Sequence, residues 1–170
     1  MSEVREKAQL AKQTAAVLGK LTTNEKNKAL LEMADALIAR ASDIMEANAD
    51  DLRRGKENGT SSSLLDRLAL NEERIRGIAE GLRQIVELPD PIGDTLETIE
   101  RPNGLHIVKK RVPLGVIGII YEARPNVTVD AAGLCLKTGN AVVLRGGSSA
   151  LSSNRKIVEV LHEAMERTAL

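Results

Sequence analysis

Two short apolar runs, GVIGII at residues 115–120 and AVVL at 141–144, set the tightest limit on the fold this chain can adopt. Neither alternates apolar with polar side chains. Each therefore reads as a strand covered on both faces, the pattern of a parallel sheet. The segment between them, VTVDAAGLCLK, reads as a small-residue helix closed by Gly139. After the second run, RGGSSA leads to a segment with Ile157, Val158, Leu161, Ala164 and Met165 on one helical face, opened by Ser148 or Ser149. Strand, helix, strand, helix is the opening of a doubly wound α/β sheet. Two strands alone leave apolar flanks that call for further strands.

The first half follows a different code. Val4, Ala8, Ala11, Ala15 and Leu18 recur at steps of four and three, with Gly19 placed to cap the end. TTNE at 22–25 has capping-box spacing, and Leu30, Met33, Ala34, Leu37, Ile38 and Ala41 follow on one face. Ser42 is placed to cap a third helix that fades before Gly59. Leu64, Leu65 and Leu68 make a short fourth. Asn71 caps a fifth bearing Ile75, Ile78, Ala79, Leu82 and Ile85, ended by Pro89. Beyond it, 95–100 and 105–112 read as the arms of a hairpin. Its turn is Pro102, Asn103 and Gly104, with glycine suited to a left-handed exit. A lone ribbon is marginal in water, so it leans on something else. The expected division is helices over 1–90, a hairpin arm over 91–113, and the start of a nucleotide-binding domain over 114–170.

Composition narrows the function. Phe and Trp are absent and Tyr121 is the only aromatic residue, which argues against stacking single-stranded nucleic acid. Lys plus Arg and Asp plus Glu number 24 each, so no polyanionic partner is called for. One cysteine excludes an internal disulfide and fits a reducing compartment. The charged first twelve residues lack a signal-peptide core, and no apolar stretch reaches the ~18 residues of a membrane span. The expectation is a cytoplasmic protein without membrane or nucleic-acid partners. His106 and His162 have no companions at ligand spacing, so no metal is assigned.

The stretch VPLGVIGIIYEARPNVTVDAAGLCLKTGNAVVLRGGSSA resembles the start of the dinucleotide-binding domain in the aldehyde dehydrogenase superfamily. LLDRLALNEERI, LPDPIG, RPNGL and YEARPNVT are similar to the pattern of its γ-glutamyl phosphate reductase family, and the resemblance runs the whole chain. It implies an aldehyde-dehydrogenase-like α/β fold, truncated after two βα units. It also implies reduction of γ-glutamyl phosphate by NADPH to glutamate 5-semialdehyde and phosphate, a step of proline synthesis. A cysteine thiolate displaces phosphate and hydride from the cofactor releases the aldehyde. That cysteine is expected beyond Leu170, so the 170 residues alone are expected to be inactive. The ribbon resembles the superfamily's oligomerisation arm, implying a homo-oligomer. The competing reading is a non-catalytic helical assembly or binding module.

The resemblance places Asn126 as the side-chain donor to the oxyanion; as a bare residue it reads first as a turn asparagine after Pro125. Where the superfamily carries Lys, Pro, Ser and Glu, this chain has Arg145, Gly146, Gly147 and Ser148. Ser148 then replaces an acid that would repel a 2′-phosphate, and Arg145 offers a fork to bind one, favouring NADP over NAD. Without the resemblance, the same loop is an ordinary βα connection with serine caps. Arg124, beside Asn126, suits the substrate phosphate or carboxylate; a surface salt bridge is the equal alternative. Cys135, on a small-residue helix, reads as a core thiol. KKR at 109–111 reads as the solvated edge of the ribbon.

Overall fold

The computed structural model describes residues 2–168. Five helices come first: α1 (Glu3–Leu18), α2 (Thr23–Ala39), α3 (Ala41–Glu57), α4 (Ser62–Leu68) and α5 (Glu72–Glu87). A hairpin of β1 (Thr95–Glu100) and β2 (His106–Lys110) follows. The chain then runs through β3 (Val116–Ile120), α6 (Pro125–Lys137), β4 (Ala141–Arg145), a 3-10 turn at Ser148–Ala150, and α7 (Leu151–Arg167).

Local chemistry explains several boundaries. Thr22 and Glu25 close a reciprocal box at the start of α2. The Thr22 N–H donates to the Glu25 carboxylate at 2.7 Å, and the Glu25 N–H donates to the Thr22 hydroxyl at 3.3 Å. The Asn71 side chain accepts the Arg74 N–H at 2.8 Å to open α5. Gly104 takes φ +82 at the hairpin turn, a conformation that costs other residues a Cβ clash.

Two expected caps are absent. α3 begins at Ala41, and the Ser42 hydroxyl turns to Asp43 rather than to helix backbone. Ser148 and Ser149 lie in the 3-10 turn, and α7 is capped instead by a carboxylate from a distant helix. Asp51 of α3, 1% exposed, accepts from the N–H groups of Ser152 at 3.1 Å and Ser153 at 2.8 Å, and from the Ser153 hydroxyl at 2.6 Å. A carboxylate at a helix N-terminus satisfies orphan donors and opposes the helix dipole.

One aliphatic core joins these pieces. α2 supplies Leu30, Met33 and Leu37; α5 supplies Ile75 and Leu82; α7 supplies Ile157, Val160 and Leu161. Each such side chain contributes about 1.5–3 kcal/mol when fully buried. Without large rings, the helices must approach closely. At Gly133 on α6, a methyl group would sit 2.5 Å from Leu82 Cδ2. α1 lies at the margin, burying Leu18 while Val4 stays 71% exposed.

β3 and β4 pair in parallel from Val116↔Ala141 to Ile120↔Arg145, with α6 as the crossover. Both strands thus end at one edge, where the Tyr121 N–H donates to the Arg145 carbonyl at 3.1 Å. The apolar flanks that two strands alone leave open are exposed among the described residues. β4 is the one strand beside β3, and Ile120 is 87% exposed. The hairpin pairs separately and antiparallel, every residue of β2 is exposed, and His106, Lys109 and Lys110 lie on it. Among the described residues, no helix is long and apolar enough to cross a membrane, and no three His, Cys, Asp or Glu side chains cluster to hold a metal.

A buried ion pair ties the end of α5 back to α2. Lys26 Nζ donates to Asp90 at 2.8 Å, with the two side chains 2% and 8% exposed. Burial works to raise the Asp90 carboxyl. Lys26, the Ile92 N–H and the Thr23 hydroxyl together outweigh it and hold the group below its ordinary 3.8. Its stabilising contribution is therefore present above pH 3.8 and is lost as pH falls through the depressed native value. Asp90→Asn leaves Lys26 without its counter-charge. It should cost about 3–5 kcal/mol at pH 7 as a lowered urea midpoint, with the gap to the parent narrowing in acid. Asp51→Ala should cost about 2–3 kcal/mol by the same measurement, because three donors at the start of α7, two of them buried, lose their acceptor.

Candidate functional site

The chain leaves β3 at Ile120 and enters α6 at Pro125, where a proline at the first helical position loses no hydrogen bond. Arg124 is extended, at φ −137 and ψ 88, as a residue before proline prefers. Asn126 consequently sits in the first turn of the helix rather than in a turn ahead of it. Its Nδ2 donates to Asp130 Oδ2 at 3.2 Å, one helical turn on. That bond sets the amide and leaves its second N–H without a protein partner among the described residues. Burial pushes the Asp130 carboxyl up, against the smaller opposing effect of the Asn126 amide.

Asn126, Asp130 and Arg124 form one wall of an open cleft of about 490 Å³. The end of α4 and the start of α5 form the opposite wall, with Arg67 and Arg74 on it and Leu70 and Ile78 as apolar lining. The arginines differ in state. Arg74 is consumed by structure: it donates to Asp66 Oδ1 at 3.0 Å and to the carbonyls of Asp66 and Ala69 at 2.5 and 2.8 Å. This ties off α4 and neutralises Asp66. Arg67 and Arg124 have no hydrogen-bond or ion-pair partner for their guanidinium groups among the described residues. The cleft therefore offers two free cations and one amide donor beside two carboxylates: Asp66, paired with Arg74, and Asp130, whose ionisation burial disfavours. It suits an anionic ligand with an apolar middle.

The second loop follows β4. Arg145 is exposed, and its guanidinium donates to the neighbouring Gly146 carbonyl. Gly146 has no room for a side chain: a Cβ would lie 2.2 Å from Asn154 Nδ2 and 3.2 Å from the Tyr121 ring. Beneath it runs a polar chain, in which the Tyr121 hydroxyl lies 2.6 Å from Thr128 Oγ1 and Thr128 donates to Asn154 Oδ1 at 3.0 Å. Burial pushes the Tyr121 phenol up, so it remains a donor at neutral pH. Packing on this floor is thus sufficient reason for glycine at 146. Ser148 and Ser149 are exposed just beyond it. Cys135 lies in α6 at 5% exposure, and burial pushes its thiol up, against thiolate chemistry.

The structure thus brings Arg124 and Asn126 together in one cleft and places Arg145, Gly146 and Ser148 on the adjacent βα loop. Arg67 escaped the sequence reading. Within LLDRL it is one more exposed helical charge, and only the fold brings it to the cleft that Arg124 and Asn126 line.

The chain is similar to several known proteins. The gamma-glutamyl phosphate reductases of Anoxybacillus flavithermus and Bacillus subtilis (strain 168) are each 57% identical to the chain over all 170 residues. The chain spans 41% of the length of either relative. The crystal structure of gamma-glutamyl phosphate reductase from Thermotoga maritima superposes with a TM-score of 0.96 at 45% identity, covering 98% of this chain and 40% of that one. The Saccharomyces cerevisiae enzyme gives 0.91 at 31% identity, covering 98% and 42%. A probable aldehyde dehydrogenase from Listeria monocytogenes, at 17% identity and a TM-score of 0.71, shares the fold. The model of the aldehyde dehydrogenase family matches residues 1–167, so nearly the whole chain, from α1 through α7, belongs to that family.

Proposed function

We propose that this chain is the N-terminal part of a γ-glutamyl phosphate reductase, which reduces γ-glutamyl phosphate with NADPH to glutamate 5-semialdehyde and phosphate. The observation that carries this reading is the 57% identity to proteins of that name along all 170 residues. The cleft supports it chemically. Asn126 donates its free amide N–H to the oxygen of the reacting acyl group, where negative charge develops, and Asp130 holds that amide in place. Arg124, two residues earlier, takes an anionic group of the substrate.

The loop after β4 fits an NADP cofactor. An exposed arginine with no carboxylate partner among the described residues lies beside two exposed serine hydroxyls, at the carboxyl edge of the parallel strands. Arg145 and Ser148 would hold the 2′-phosphate, with Gly146 keeping the loop flat. Once bound, the nicotinamide supplies hydride to the acyl carbon. The nucleophilic cysteine of this reading lies outside these 170 residues, since buried Cys135 is not suited to the part. The hairpin, with Leu96, Leu105, Ile107 and Val108 each 41–53% exposed, is the natural oligomerisation arm, and we assign the working enzyme as a cytoplasmic homo-oligomer.

Two substitutions test this in a full-length enzyme carrying the chain. Arg145→Ala should weaken NADPH more than NADH, by about 1–3 kcal/mol, since one charge-assisted contact to the 2′-phosphate is lost. Equal loss for both cofactors, measured by fluorescence titration, would reject the assignment. Asn126→Ala should lower turnover by about 10²–10³ with cofactor affinity retained, the cost of one oxyanion donor. Turnover close to that of the parent would leave Asn126 a purely structural residue.

A further inference from the structure

We propose that Arg67 is the residue that recognises the α-carboxylate of the substrate, and so selects an amino-acid aldehyde over a simple one. This deepens the reductase reading and rests on it. Arg74 is committed to Asp66 and to the end of α4, whereas Arg67 and Arg124 face the same 490 Å³ space with no partner among the described residues. The proposed substrate carries two anions at opposite ends of one chain, a phosphate on the acyl carbon and a carboxylate on the α-carbon. The phosphate leaves from the carbon whose oxygen Asn126 holds, so it belongs beside Asn126, on the wall that carries Arg124. The α-carboxylate then belongs on the opposite wall, where Arg67 is the free cation and Leu70 and Ile78 line the space for the intervening methylenes. A guanidinium forks onto a carboxylate through two parallel hydrogen bonds, giving geometric selection as well as charge.

The test uses the reverse reaction, in which aldehyde, phosphate and NADP⁺ give acyl phosphate, NADPH and a proton. Two aldehydes are compared in the full-length enzyme: L-glutamate 5-semialdehyde, and 4-aminobutanal, which lacks only the α-carboxylate. In Arg67→Met the ratio of kcat/KM between them should fall about ten- to a hundredfold, the scale of a charge-assisted hydrogen bond, while the KM for phosphate holds. Arg67→Lys should recover part of the ratio, because charge returns without the fork. Arg124→Met should do the opposite, raising the KM for phosphate and leaving the ratio. Arg67 is exposed and unpaired, so thermal unfolding of the variant should match the parent. An unchanged ratio in Arg67→Met, or a phosphate KM that rises there, overturns the assignment of Arg67 while leaving the reductase reading intact. A parent enzyme that turns over neither aldehyde overturns both.

Discussion

Two adjacent polar side chains on α3 hold the candidate site in place from behind. Asn48, 1% exposed, donates to the Leu68 carbonyl at 2.9 Å and to the Ser153 hydroxyl at 3.0 Å, and accepts the Leu70 N–H at 2.8 Å. Asp51, three residues on and so on the same helical face, takes the first free N–H groups of α7. One clasp therefore fixes both the end of α4, which carries Arg67, and the start of α7, which the Arg145–Ser148 loop must reach. Buried polar groups are costly unless every member is satisfied, and here each has a partner. Such a network is expensive to shift by small amounts. It suits elements that must present charges at set positions without touching the ligand themselves.

α6 supplies the other fixed point. Its N-terminal turn orients Asn126 through Asp130, its middle packs Gly133 against Leu82, and Thr128 ties it to Tyr121 and Asn154. The aliphatic core gives this helix its closeness. With no Phe or Trp to fill space, helix surfaces meet through Ala and Gly, and the backbone carries functional groups nearer one another than bulkier side chains would allow.

Features set by neighbours in sequence were legible before the structure. The Thr22–Glu25 box, the Asn71 cap, the Gly104 turn and the strand character of the two apolar runs each depend on residues within a few positions, or on a pattern that spans one element. What sequence misassigned was set by distant partners. Ser42, Ser148 and Ser149 are good capping residues by type, but α7 takes its cap from Asp51, about a hundred positions earlier. Arg67 and Asn126 meet across a cleft that no spacing rule encodes. β3 is read correctly as a strand, and its apolar flanks stay open among the described residues, because burial is a property of the neighbours a strand receives.

The parallel register explains why two kinds of chemistry share this part of the molecule. Because Ile120 pairs with Arg145, the segments leaving β3 and β4 emerge at the same edge. One becomes the entry to α6, with Arg124 and Asn126; the other becomes the Arg145–Ser148 loop. A crossover through α6 is what lets the two strands run parallel and end at a common edge. An antiparallel pair would have sent the two loops to opposite ends. The chain as a whole carries no net charge, yet three of its arginines stand here without a carboxylate partner among the described residues. Several acidic side chains are spent on helix ends and ion pairs: Asp51 on α7, Asp66 on Arg74, Asp90 on Lys26.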